Sequence, residues 1–288
     1  MMDIVNFLQV NPQFFLILMV FISLFVGSFL NVVIYRLPKM MELNWSEECR
    51  IYLGLKPHTE LEKLNLYLPF SHCPRCKNVI RPWHNIPLIS YVWLRGKCAY
   101  CNSAISIRYP LVEALTCIMS IYVVWRFGFS WTTAASLAFT WIIICLTFID
   151  IDYHLLPDEL TLLLLWVGLL SNVFNLFTSP QYAIIGAIAG YIIFYLTKNI
   201  FEWATQKNGM GQGDVKFLAA LGACLGWQML PLIILLASLS GIFFALIHMI
   251  VKHEFKSVPL PFGPYLAVAG WVCLIWGNEI MRIYLHYI

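Results

Sequence analysis

Charge is what this chain has least of. Only 11% of its 288 residues are charged, where a soluble domain carries roughly a quarter. Apolar residues make up 60% of the chain and the mean hydropathy is +0.76. Such a composition excludes an ordinary soluble domain and predicts a protein that crosses a lipid bilayer several times. The net charge of +3 is small, and its placement matters more than its size; no nucleic-acid partner is expected. The sequence also lacks a Gly/Ser linker, a low-complexity tract and a tandem repeat. It has no GxSxG, no HExxH and no GxxxxGK[ST], which leaves serine, zinc-hydrolase and P-loop chemistries unsupported. No basic segment precedes the first apolar run, Phe14 to Tyr35, and Arg36-Leu37-Pro38 follows it instead of a small-residue cleavage site. That run reads as a first membrane span, not a cleavable signal peptide.

Seven further apolar runs follow, at about 111–128, 131–149, 160–178, 181–197, 215–230, 231–251 and 264–283. The sixth and seventh are divided near Pro231. The expected fold is an all-α polytopic membrane protein of about eight transmembrane helices. A small cytoplasmic zinc-binding domain lies between the first and second spans. The expected domains are a first span (1–35), a polar section (36–109) and a membrane-embedded section with seven spans (110–288). The polar section holds 11 of the 18 Lys and Arg residues. Alternating the spans from an outside N-terminus puts 16 basic residues inside and only Arg126 and Arg282 outside, in keeping with the positive-inside bias. Asp150, at the end of the third span, and Asp214, at the start of the sixth, then lie at the same cytoplasmic face.

Asp214 ends the turn Gly209-Met210-Gly211-Gln212-Gly213-Asp214. An ionisable residue at the mouth of a membrane span marks a functional site by default. Glycines beside it let a substrate backbone come close, a role expected of Gly211 and Gly213. Four acids lie in Phe148–Glu159. Asp158 reads as the N-cap of the fourth span and Asp152 as an interfacial acid. Asp150 is best placed to be held at membrane depth, with a one-turn ambiguity toward Asp152. Two acids in one site hold a single proton near neutrality. One can then activate water while the other polarises a carbonyl. The same acids would suit a proton relay in a transporter.

The cysteines carry a sharper signal. Cys73-Pro-Arg-Cys76 and Cys98-Ala-Tyr-Cys101 form two CxxC pairs, a four-thiolate set for a structural Zn²⁺ with no open catalytic position. Cys49, Cys117, Cys145, Cys224 and Cys273 mostly lie in apolar runs and read as small hydrophobes. Gly27, Ser28 and Asn31 share one face of the first span and suit close helix packing. Glu113, just inside the second span, needs a partner. Pro259-Leu-Pro-Phe-Gly-Pro264 reads as a stiff extended bend able to offer backbone groups to a peptide. His154, His248 and His253 read as interfacial residues rather than ligands.

Taken in order, GSFLNVVIYRLP, the two CxxC knuckles, RYPLVE, FIDIDYHLLPDELT, GMGQGDVKFLAALGACLGW and PFGPYLAVAGW closely resemble the bacterial type IV prepilin leader peptidases. These are bifunctional GxGD aspartic proteases, and the resemblance spans residues 14–283. It implies cleavage of a short basic leader from prepilins and pseudopilins at the cytoplasmic face of the inner membrane. N-methylation of the new N-terminus with S-adenosylmethionine would follow. It also implies catalytic roles for Asp150 and Asp214 and zinc ligation by Cys73, Cys76, Cys98 and Cys101. No residue is implied for the methyl donor, for which the polar section is a reasonable host. A presenilin-like intramembrane protease would share GxGD but has no use for the cysteines. A transporter or a zinc-dependent assembly protein would share still less.

Overall fold

The computed structural model describes residues 9, 11–56, 64–206, 209–252 and 261–286. Among them every regular element is helical. The β-structure is two isolated bridges, His72 with Val79 and Lys97 with Ala104. In order, the helices are α1 (Pro12–Tyr52), the short α2 (Ile89–Trp93), α3 (Arg108–Phe127), α4 (Trp131–Tyr153), α5 (Asp158–Val173), α6 (Pro180–Thr205), α7 (Gln212–Leu225), α8 (Leu230–Lys252) and α9 (Gly263–His286). Each of the eight apolar runs has its helix. Six are long and apolar enough to cross a membrane: α1, α3, α4, α6, α8 and α9. The other two, α5 and α7, have 16 and 14 residues. At 1.5 Å per residue α7 is only about 21 Å long, short of a ~30 Å hydrocarbon core.

Helix starts and stops follow local chemistry. Ser130 caps α4 by accepting the Thr133 N–H at 3.1 Å, and Ser179 does the same for α6 through Tyr182. Asp158 is not a cap. Pro157 holds that position, and Asp158 opens the first turn of α5, where both carboxylate oxygens accept from Lys216 Nζ at 2.7 Å. The break between the sixth and seventh runs falls earlier than Pro231. Gly226, with φ +85°, ends α7, and a 3-10 turn at Trp227–Met229 leads into α8. Pro231 sits in the first turn of α8, where a missing N–H costs nothing. The Pro259–Pro264 segment is not wholly an extended bend either, because Gly263 and Pro264 open α9. Residues 259 and 260 lie outside the described residues, as do His253 and the side chain of His248.

The chain divides into two compact units, residues 1–125 and 126–288. In the first, α1 runs 41 residues, well past its apolar stretch and through Pro38. The small-residue face works as its composition suggests. A Cβ on Gly27 would lie 2.9 Å from the Glu113 Cα, and Asn31 donates to the Tyr109 carbonyl at 3.1 Å. Glu113 accepts from the Leu88 N–H at 2.9 Å and bonds the Ser28 hydroxyl. Arg36 is buried on α1 and donates to the carbonyls of Asn65 and Pro69 at 2.9 and 2.6 Å. Its charge thereby fixes the turn that leads to the first cysteine pair.

In the second unit α7 is the axis. Apart from Lys216, every residue from Asp214 to Leu225 is buried. Its main neighbours are α6 and α5. Gly186 of α6 and Gly222 of α7 meet backbone to backbone, with no room for a Cβ on either. The far end of α7 is closed by Asn172, which is fully buried. Its amide donates to the carbonyls of Ala223 and Cys224 at 2.9 and 2.8 Å. Its oxygen accepts the N–H groups of Phe177 and Thr178 at 3.1 and 3.0 Å. The outward face of α6 exposes Ile184, Ile185, Ile188 and Ile192, a surface suited to lipid.

Candidate active site

Two acids converge in the second unit. Asp150 lies in the last turn of α4, which ends where His154 turns left-handed (φ 52°) and returns its N–H to the Asp150 carbonyl at 3.0 Å. The Asp150 side chain is 5% exposed. Its Oδ2 accepts the backbone N–H of Gly263, the first residue of α9, at 3.0 Å. Asp152, two residues on, is exposed. The geometry therefore separates the two acids that sequence spacing left ambiguous.

Asp214 is the third residue of α7, behind the N-capping Gly211. Its carboxyl reaches back to the Gly211 N–H, the carboxylate half of a capping box. It is 9% exposed and close enough to Asp150 for the two charges to act on each other. A Cβ on Gly211 would lie 3.4 Å from Asp214 Oδ2, with little else nearby. Gly213 faces protein instead: a Cβ there would come within 2.7 Å of the Leu156 Cβ. A Cβ on Gly263 would meet the Leu156 Cδ2 at 3.1 Å. Leu156 is thus wedged between the N-terminal turns of α7 and α9, behind the two acids.

A cavity of about 440 Å³ opens beside the Gly209–Gly211 turn, lined also by Lys198 and Glu202 of α6. Those two side chains pair at 3.8 Å, one helical turn apart. Sequence reasoning missed Glu202, Leu156 and the bond from Gly263. Glu202 carried only an i,i+4 charge pattern. Gly263 stood in a motif read as a peptide-docking bend, whereas its N–H is spent on Asp150.

Two interacting carboxyls in a water-poor site can divide acid and base work. One takes a proton from water while the other gives one to a carbonyl oxygen or a leaving amine.

The first unit holds a second cluster. The Sγ atoms of Cys73, Cys76, Cys98 and Cys101 all lie within 4.8 Å of one another. Both pairs are built alike. Cys73 N–H bonds the Asn78 carbonyl and Cys98 N–H that of Ser103. Lys77 and Asn102, each following the second cysteine of its pair, take left-handed φ of 60° and 54°. Backbone N–H groups of Cys76 and Arg75 bring the Cys73 thiol down to about 6, so it ionises readily. Ser103 Oγ sits 3.1 Å from the Cys101 sulfur. A four-coordinate metal with ~2.3 Å bonds to sulfur needs sulfurs ~3.8 Å apart, and Cys73 and Cys101 lie at 3.8 Å. The donor set fits a metal ion held by thiolates.

Comparison with known proteins gives a family to each unit. Residues 21–127 match the bacterial peptidase A24 N-terminal domain, and residues 137–246 match the type IV leader peptidase family. Three proteins named prepilin leader peptidase/N-methyltransferase align almost end to end. That of Pseudomonas aeruginosa is 50% identical over 99% of both chains. That of Stutzerimonas stutzeri is 48% identical over 98% of both, and that of Aeromonas salmonicida 48% over 95% of both. No solved structure matches the chain. With two buried aspartates on converging helix ends and relatives matched over nearly their whole length, this chain belongs to the type IV leader peptidase family.

Proposed function

We propose that the protein removes the leader peptide of prepilins and then N-methylates the new N-terminus, with Asp150 and Asp214 as the catalytic pair of the first reaction. The observation that carries this reading is their convergence. They are 64 residues apart in sequence, yet both are buried, and Leu156 packs against both the glycine beside Asp214 and the glycine that bonds Asp150. The ionised carboxylate takes a proton from water, and the oxygen adds to the scissile carbonyl. The protonated partner gives its proton to the carbonyl oxygen. As the C–N bond breaks, one acid gives its proton to the leaving amine while the other recovers a proton from a hydroxyl of the intermediate as the new carboxyl forms, so the pair again holds one proton. In the second reaction S-adenosylmethionine supplies the methyl group and the amine nitrogen loses a proton. No residue is assigned to that donor.

The same reading covers the rest of the molecule. It takes α5 and α7 as the remaining two of eight crossings, with α7 enclosed by its neighbours and α5 turning one apolar face outward. It takes residues 36–109 as a cytoplasmic domain stapled by structural Zn²⁺ and serving the methylation. The catalytic pair then faces the cytoplasm at the inner membrane, with pseudopilins of type II secretion as further substrates. Gly211 keeps the approach to Asp214 clear, and Gly213 lets α7 close on Leu156.

Co-expression with a prepilin tests the function directly. Mass spectrometry of the pilin should show loss of the leader and gain of one methyl on the new N-terminal residue. An intact leader would reject the peptidase, and leader loss without the methyl would reject the transferase. The cavity beside Gly211 carries a narrower expectation. Glu202 is its only acid among the described residues and would face the basic leader. Glu202→Lys should raise KM for prepilin about 10-fold with kcat within about 3-fold, the pattern of lost ground-state binding. Steady-state kinetics on a leader peptide measures both.

A further inference from the structure

We infer that Gly263 is a positioning residue for peptide cleavage, holding one oxygen of Asp150 through its backbone N–H and leaving the other oxygen to the reaction. This deepens the dyad reading and rests on it. Three observations carry it. The N–H of Gly263 meets Asp150 Oδ2 at 3.0 Å, in a buried contact 113 residues apart in sequence. That N–H belongs to the first residue of α9, so it has no partner within its own helix and is free to serve the carboxyl. A side chain at this position must push the Asp150 carboxyl aside. A Cβ would come within 2.6 Å of Asp150 Oδ2 and 3.1 Å of its Cγ.

The glycine is therefore required by the acid it touches, not by the backbone of α9. An alanine would fit a helix start well. Here its methyl must displace the carboxyl, which is anchored by the end of α4, or displace α9 itself. Either movement breaks the N–H bond and turns Asp150 away from Asp214. A misplacement of about 1 Å is enough to lose two orders of magnitude in rate.

The test is Gly263→Ala in the full-length protein in detergent or liposomes, assayed on a prepilin-derived peptide. The expected result is kcat lowered about 100-fold or more, KM within about 3-fold, and a displaced acidic limb in the kcat–pH profile. Methylation of a synthetic peptide with an already processed N-terminus should stay within about 2-fold, showing a folded chain. Wild-type cleavage with an unmoved pH profile would overturn the inference. Should methylation fail too, Leu156→Ala combined with Gly263→Ala gives the new methyl room on its other side. If that double variant methylates but still cleaves at under about a tenth of the Leu156→Ala rate, the inference stands; if it cleaves as Leu156→Ala does, the inference falls. Asp150→Asn, run in parallel, separates the two layers. Full cleavage by that variant would sink the dyad itself, whereas its failure beside an active Gly263→Ala would sink only the positioning role.

Discussion

Asp150→Asn and Asp214→Asn should each abolish leader cleavage, lowering kcat at least about 1,000-fold, while methylation of a processed peptide continues. Asn keeps the shape and accepts the same backbone N–H from Gly263 or Gly211. It cannot take or give the proton. General acid–base groups contribute about 10²–10⁴-fold each, and here both act on one water and one carbonyl. Groups that work as a unit do not add, so the double variant should be little worse than either single one. Full cleavage by either single variant would end the assignment. The wild-type enzyme should also show a bell-shaped pH profile, because only the singly protonated pair is active and its two proton losses belong to the pair. A flat profile through the weakly acidic range would count against a shared proton.

The second large effect belongs to the cysteines. Cys98→Ser, or exhaustive chelation, should remove one bound metal ion per chain and make residues 64–107 readily cut by a soluble protease. Between those positions only Cys73 and Pro87 are buried, while Trp83, Val92, Trp93 and Ile107 are exposed. A segment this poor in core cannot hold itself together by hydrophobic burial. A structural zinc site contributes about 10–16 kcal/mol of apparent binding free energy in small peptides, and that energy is folding energy. Metal analysis with limited proteolysis checks the expectation. An unchanged digestion pattern in the metal-free protein would show that the knuckles stand without metal. The second unit has its own buried centre on α7 and should keep its protease resistance.

Much of the fold was legible because apolar runs and punctuating residues are local signals. Eight runs became eight helices, and Ser130, Ser179 and Pro180 stand where two of them start. Length was less legible. The run after Asp214 looks like a span until Gly226 turns it, and whether a glycine ends a helix depends on what receives the freed carbonyls. Asp158 was misread because a carboxylate before an apolar run suits both a cap and a first-turn position, and here Pro157 takes the cap. The cysteine cluster was visible from spacing alone. The acids were visible as candidates, yet choosing Asp150 over Asp152 from residues alone needed the path of α4 and the arrival of α9. Those are long-range facts that no local pattern carries. Gly213 shows the limit best. A substrate-facing role was expected from its place beside the acid, and its neighbour in the structure is Leu156.

Asn172 bears on how such a chain is made. It leaves the ribosome some fifty residues ahead of the carbonyls it will cap, at separations of 51 and 52 positions. A helix of 14 residues is too short to span the bilayer by itself, and its last carbonyls find no water inside one. α7 therefore depends on its neighbours to close its far end. The Asn172 amide, at the bend between α5 and α6, supplies the donors that the last carbonyls of α7 need.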